Sequence, residues 1–388
     1  MISRGHNTIF TLLLLFVSSV LGLALVEWGM HLVALNYALV WQPDPQLGWR
    51  HIPGARRLWT EEGRGLIEIN QLGFRDRKRT IDKAGNMFRI AVFGDSMTEA
   101  VQVNLDQAFT YLLEEKLKAK YDSVEVLNFG VSGYSPIQEL LLFRQEGVRY
   151  KPDLVIWAVF LDNDISGCHP NLTVSEWGSP FLLETKDFQL DFSRAEQSVK
   201  EFQQQPGYWF RRHSRIYRFL SAWRWRLMNY FRVSPVVSQA QVPKRFLLYE
   251  KSGSPSPEWD EAWNCFERTV TQFVEEVHRH HAHLLILSVP SAYEVNAKAW
   301  EDNLVAIPQM SQHEWDLSGP QQRLKAIAAK QGVEVIEPHD VFRKLKDGLP
   351  IYWGNAGHLT PHGHAVLEGI VRKFILDRDL ISENNASN

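Results

Sequence analysis

The sequence predicts an α/β fold: a parallel sheet wrapped by helices, carried behind a membrane-crossing helix. Three observations lead there. Short, uniformly apolar and β-rich runs recur at 88–93 (FRIAVF), 124–129 (VEVLNF), 153–160 (DLVIWAVF), 283–289 (HLLILSV) and 333–338 (VEVIEP). Helical patterns lie between them, over 105–120, 136–149, 258–281 and 320–331. Residues 8–26 (TIFTLLLLFVSSVLGLALV) contain no charge.

Strand runs without polar alternation suit strands covered on both faces. Strand and helix in repeated succession build a parallel sheet with helical crossovers. Asn104 is a candidate cap for the helix over 105–120, and Ser318 with Pro320 marks the start of the one over 320–331. In such sheets chemistry gathers beyond the carboxyl ends of the strands.

The uncharged stretch is long enough to cross a bilayer as a helix. Arg4 and the terminal amine precede it, Glu27 follows it, and the next Lys or Arg is Arg50. Positive charge on the amino side keeps that end in the cytoplasm. The expected organisation is a cytoplasmic tail at 1–7, an anchor at 8–27, an extracytoplasmic lead-in at 28–85 and the α/β domain at 86–380. A cleaved signal sequence and a buried globular helix are the alternatives, but Leu-Gly-Leu-Ala is a poor cleavage site. The lead-in reads as irregular, with turn-formers in QPDPQLGW, HIPGARR and NQLGFRDR.

About 120 residues separate the third and fourth strand runs, too many for a plain crossover, so an insertion is expected at about 165–257. Within it, 208–232 carries seven arginines and no acid, interleaved with aromatic and aliphatic residues. Two readings stand: a surface helix that packs its aromatic face on the domain, or an interfacial helix on an anionic membrane or an acidic polymer.

Composition narrows the function classes. A net charge of −3 with 22% charged and 45% hydrophobic residues speaks against disorder and against a nucleic-acid partner. The 14 Trp and 21 Phe imply large aromatic contact surfaces. Two cysteines, Cys168 and Cys265, give neither a disulfide framework nor a metal cage. His358, His362 and His364 have a metal-like spacing, but no carboxylate or cysteine accompanies them. HRHHAH (278–283) reads as a solvated helix end, and Asn171 opens a glycosylation triplet that matters only in a eukaryotic secretory pathway. No phosphate-cradling glycine loop is present, and no cofactor is expected.

The candidate chemistry lies at the strand ends. Ser96 sits where the first strand hands over to a helix, in GDSMTEA, with its hydroxyl toward the cleft and its N–H among the unpaired donors of a helix start. That position suits a nucleophile whose attack builds negative charge on a nearby oxygen. After the second strand, NFGVSGYS (128–135) is a glycine-bearing turn able to offer a backbone N–H. After the third, FLDND (160–164) brings Asn163 to the same edge. In GHLTPHGH (357–364), Thr360 and Pro361 open a helix, and His358 lies in the loop before it. Asp95, Asn128 and Asp164 are expected to brace their loops.

These four blocks, in this order over residues 88 to about 375, resemble the SGNH (GDSL-type) hydrolases, and LGWRHIP and INQLGFRD resemble a membrane-anchored bacterial subgroup. The resemblance implies a flavodoxin-like, three-layer α/β/α fold around a five-stranded parallel sheet. It implies Ser96 as nucleophile, and an oxyanion hole from the N–H of Ser96, the N–H of Gly133 and the side-chain amide of Asn163. His358 would be general base and then acid. One position departs: the aspartate expected two or three residues before the histidine is replaced by Ala356 and Asn355. Asn355 or a backbone carbonyl could orient His358, Asp347 could fold back to it, or the domain is a silent binding module.

The expected function is a membrane-anchored serine esterase acting on an O-acyl ester of a glycan or lipid through an acyl-serine. An O-acyltransferase modifying an exported polysaccharide is the alternative. Membrane contact is expected through 8–27, with 208–232 as a second candidate.

Overall fold

The computed structural model describes residues 3–33, 38–173, 178–183, 187–231, 242–253, 255–354 and 357–381. Helix α1 (Ser3–Val33) contains the one candidate membrane span among them, Thr8–Leu32, and none of that span is buried in protein.

The lead-in is more ordered than its turn-rich sequence suggests. It forms two antiparallel hairpins, β1 (Trp41–Asp44) with β2 (Gly48–His51), and β3 (Arg56–Trp59) with β4 (Gly65–Glu68). Neither has an amphipathic strand of useful length, so tertiary packing supplies the order. Trp49 of β2 packs edge-on against Tyr134 at 5.5 Å. Ile67 and Ile69 bury against Val40 and Val101. Each buried Ile stabilises the arrangement by roughly 1.5–3 kcal/mol.

The central sheet consists of β5 (Phe88–Gly94), β6 (Val124–Gly130), β7 (Leu154–Val159), β10 (His283–Ser288) and β11 (Glu334–Ile336). All its pairings are parallel, in the spatial order β6-β5-β7-β10-β11. Numbered by chain order this is 2-1-3-4-5, the flavodoxin-like arrangement, with its switch point between β5 and β7. The two-stranded β8 (Phe181–Leu182) and β9 (Leu190–Asp191) lie in the insertion.

Alternate residues of the strands feed two cores. Ala91, Phe93, Phe129, Val155 and Trp157 face α4 (Pro136–Gln145), α10 (Pro257–Arg279) and α13 (Gly319–Lys330). Ile90, Val92, Val126, Ile156 and Leu285 face α3 (Phe109–Lys118) and α15 (Pro361–Asp377). Helices therefore cover both faces, as the uniformly apolar runs require. The Asn104 cap serves a short 3₁₀ turn, Leu105–Gln107, and α3 starts after it. Cys168 and Cys265 are buried free thiols.

The insertion also holds α6 (Ser193–Gln204), α7 (Tyr208–His213), α8 (Arg215–Phe231) and α9 (Lys244–Leu247). The arginine-rich stretch is thus two helices. Trp209, Phe210, Phe219 and Trp223 are at least partly exposed on these helices. The short α2 (Ser96–Glu99) and α5 (Leu161–Gly167) follow β5 and β7, while α11 (Ala292–Val295), α12 (Ala297–Ala306) and α14 (His339–Lys344) complete the chain.

Candidate active site

Ser96 is the first residue of α2, two positions beyond Gly94 at the end of β5. Asp95 caps that helix, its Oδ1 accepting from the N–H of Met97 at 2.9 Å. Gly94 and Gly130 make the turn possible. A Cβ on either would collide with Thr98, and one on Gly130 also with the backbone N of Glu99. Bare backbone at both strand ends therefore lets α2 sit directly over β5 and β6.

His358 lies in the loop before α15. Thr360 fixes that loop: its hydroxyl donates to the carbonyl of Pro350 at 2.6 Å and accepts from the N–H of Gly363 at 3.1 Å. The Nε2 of His358 is 2.9 Å from the Oγ of Ser96.

On the other side of the imidazole stands Glu62. Its Oε2 is 2.5 Å from His358 Nδ1, and its Oε1 accepts from the backbone N–H of His358 at 3.0 Å. A carboxylate only accepts, so Nδ1 carries the proton and Nε2 is left to accept from the serine hydroxyl. Burial pushes the Glu62 carboxyl up, but its hydrogen bonds to the ring and backbone of His358, and its attraction to that imidazole when protonated, outweigh it and hold the group below its ordinary range. The side chains of His358 and Glu62 are 29% and 26% exposed, so solvent and a substrate can reach the pair.

Glu62 occupies the tip of the β3–β4 hairpin, in the loop Thr60–Arg64 between the paired Trp59 and Gly65. That tip is clamped on several sides. The N–H of Arg64 donates to the carbonyl of Gln102 at 3.1 Å, and the N–H of Leu66 to the Oδ1 of Asn104 at 3.0 Å. A Cβ on Gly65 would strike the carbonyls of Val101 and Val103. Arg57 draws the neighbouring Glu61 back along the hairpin at 2.7 Å, leaving Glu62 to face the histidine. Gly357 clears the approach, because a Cβ there would collide with the Glu62 carboxylate and the carbonyl of Trp353.

Of the expected substitutes for the missing aspartate, Asp347 is engaged elsewhere. Asp347 Oδ2 is 2.9 Å from the Nε2 of His362, a different histidine. Asn355 lies outside the described residues. The carboxylate whose absence motivated the silent-module alternative is supplied from the lead-in. The three C-terminal imidazoles also diverge: His364 is buried, its Nδ1 accepting from the N–H of Phe109 at 3.4 Å. Burial, then Arg75 and His358, push the His364 imidazole down to about 3.

Asn163 comes from α5, across the sheet's switch point from Ser96. Its Nδ2 donates to Asp95 Oδ2 at 2.7 Å, which fixes the amide's orientation and leaves a second N–H. Burial raises the Asp95 carboxyl, against the lowering pull of the Asn163 and Met97 donors. Gly133, with φ at +76°, forms the turn after β6, a conformation that favours glycine. The N–H groups of Ser96 and Gly133 donate to no backbone carbonyl among the described residues.

The Gly133 turn is gripped from three directions. Trp49 Nε1 donates to the carbonyl of Ser132 at 3.0 Å. The Tyr134 hydroxyl donates to the carbonyl of Trp49 at 2.5 Å. Glu99 Oε2 accepts from the N–H of Ser132 at 2.5 Å, while its Oε1 lies 2.8 Å from His51 Nε2. Burial raises Glu99, but His51 and Ser132 outweigh it and the carboxyl lies below its ordinary value. Arg75, fully buried, donates to the carbonyls of Glu99 and Val103. Asn128 donates to the carbonyl of Thr98 at 2.9 Å and accepts from the N–H of Gly130 at 2.9 Å, and Asp164 accepts from the N–H of Phe160 at 2.7 Å.

No protein-family model and no curated protein matches the chain. Among solved structures, the chain is similar to a catalytic mutant of Axe2, an acetylxylan esterase from Geobacillus stearothermophilus. Identity is 13% over 77% of this chain and 97% of that one, with a TM-score of 0.39. It is similar to TesA at 12% identity over 76% and 99% of the two chains, with a TM-score of 0.39. It is also similar to LAE5, an alpha/beta hydrolase enzyme from the metagenome of Lake Arreo, at 11% identity over 78% and 100%, with a TM-score of 0.40.

Sequence reasoning missed Glu62, His51, Trp49 and Glu99 as site residues. The only local signal was the pair Glu61-Glu62 ahead of two glycines, an acidic hairpin tip.

Proposed function

We propose that this chain is a serine ester hydrolase of SGNH type that cleaves an O-acyl ester through an acyl-Ser96 intermediate. The observation that carries the reading is the continuous relay from Ser96 Oγ through His358 to Glu62. Attack by Ser96 Oγ on the ester carbonyl carbon sends its proton to His358 Nε2. Glu62, bonded at Nδ1, keeps the imidazole in the accepting tautomer and offsets the positive charge that forms on it. The carbonyl oxygen becomes an oxyanion, with the N–H groups of Ser96 and Gly133 and the free amide N–H of Asn163 as its donors. His358 then protonates the departing alcohol, and water, deprotonated in turn by Nε2, releases the acid and restores Ser96.

The same proposal holds the domain at the outer side of a membrane, with residues 1–7 in the cytoplasm and 8–27 as the anchor. Substrates in that setting are O-acyl groups of an exported glycan or ester-linked lipids. Residues 86–380 form the catalytic domain in this reading, and the lead-in at 28–85 completes its site.

Full-length protein in detergent should release p-nitrophenol from p-nitrophenyl acetate. A serine-directed fluorophosphonate should add one adduct, on Ser96. Ser96→Ala should lose both. Equal inertness of the wild type and Ser96→Ala across short acyl esters would overturn the reading.

A further inference from the structure

Helices α1 and α8 cap one another. The Glu27 carboxylate, at the end of the uncharged stretch of α1, accepts from the backbone N–H of Arg215 at 2.5 Å and of Ile216 at 3.2 Å, and from the Ser214 hydroxyl at 2.6 Å. It is the N-cap of α8, supplied from another helix. In return the Arg215 guanidinium donates to the carbonyls of Met30 at 2.9 Å and His31 at 3.0 Å, in the last turns of α1. Arg218 ties α7 to the pair through the carbonyls of Arg211 and Arg212.

This reciprocal cap fixes where α8 begins relative to a bilayer. At 1.5 Å per residue, residues 8–26 rise about 28 Å, close to the thickness of a hydrocarbon core. The Glu27 cap then lies at the outer boundary, and α8 starts there. Phe219, Leu220, Trp223 and Leu227 are exposed and share an arc of roughly 100° on α8. Trp209 and Phe210 of α7 are exposed as well, as is Trp28 of α1. Indole rings at that level are what a membrane interface selects. Arg211, Arg212 and Arg224 are exposed in the same region, and 208–232 contains no acid.

We infer that α7 and α8 form an interfacial foot that lies in the outer headgroup layer of an anionic bilayer, locked to the anchor by the Glu27–Arg215 cap. This rests on the membrane attachment read above for residues 8–27. The apolar arc enters the acyl boundary, and the flanking arginines meet lipid phosphates. The occupant is lipid, because the surface continues directly from a lipid-facing helix and its charge is of one sign.

The test uses full-length protein in mixed phosphatidylcholine–phosphatidylglycerol bilayers, spin-labelled at Leu220→Cys or Trp223→Cys. Leu15→Cys in α1 and Lys330→Cys in α13 are the reference sites, and wild type, with only its buried cysteines, is the labelling blank. Labels at 220 and 223 should collide several-fold more with oxygen than with a water-soluble nickel chelate, as at 15, and 330 should show the reverse. Glu27→Gln should raise nickel contact at 220 several-fold while leaving 15 unchanged. Nickel access at 220 and 223 equal to that at 330 would overturn the proposal. Shielding from both reagents would also overturn it, since a protein would then cover the face. A water-exposed label at 15 would instead remove the anchor reading itself. Thermal melts of each labelled variant establish that it is folded.

Discussion

Glu62 and His358 stand 296 positions apart in the chain and meet in two hydrogen bonds, one to the ring and one to the backbone of the same histidine. The second bond matters as much as the first. It fixes the carboxylate to the loop that carries the imidazole, so ring and acid move together. In the proposed mechanism the hairpin tip does what a neighbouring aspartate would do, from a different part of the chain.

Gly357 is where this arrangement is most easily broken. Gly357→Ala puts a methyl group into the Glu62 carboxylate and the Trp353 carbonyl. The expected outcome is a loss of ester hydrolysis of roughly 10²-fold or more, approaching the Glu62 variants, because a 1 Å misplacement of a catalytic group can cost that much. Steady-state kinetics should show the loss in kcat with KM little changed.

Glu99 is a positioning residue for the turn that carries Gly133. Its side chain and that of His51 are both fully buried, so removing one partner strands the other. Glu99→Ala should destabilise the fold by about 3–5 kcal/mol in urea unfolding. Glu99→Gln keeps an acceptor for the Ser132 N–H and should recover part of the stability. Its kcat for p-nitrophenyl acetate should still fall below wild type, since the amide can no longer hold both the turn and the imidazole in the same geometry.

His364 predicts an acid-side weakness in the stability of the fold. Its folded form is held neutral, with the imidazole pushed down to about 3 from an ordinary 6.5 by burial first and by Arg75 and His358 after it. The unfolded chain takes up the proton that the folded chain refuses. Stability is therefore fully present above about pH 6.5 and declines as the pH falls toward about 3. His364→Gln should show a shallower decline over that window in denaturant midpoints. Parallel curves for the two proteins would contradict the assignment.

The sheet was legible because its signal is local. FRIAVF, VEVLNF and DLVIWAVF are each apolar on both faces, and the strands found there pair as a parallel core. Ser96, Gly133, Asn163 and His358 were legible for a related reason: each follows a recognisable strand or precedes a capped helix, so topology alone delivers them to one edge. Glu62 was not, because its place depends on tertiary contacts. Gly65 seats the hairpin on Val101 and Val103, Ile67 buries beside Val101, and no periodicity in Arg56–Glu68 announces either contact. The hairpin strands are four residues each and carry charges, so they read as loop. Trp49 and His51 were hidden in the same way.

The central claim is that Glu62 acts on Ser96 through His358, and a double-mutant cycle tests it most directly. The measurement is kcat/KM for p-nitrophenyl acetate in wild type, Glu62→Ala, His358→Ala and the double variant, all folded by thermal melt. The relay predicts a loss of roughly 10²–10⁴-fold for Glu62→Ala, a larger loss for His358→Ala, and a double variant no worse than His358→Ala alone. A Glu62→Ala enzyme as active as wild type, or two losses that multiply in the double variant, would contradict it.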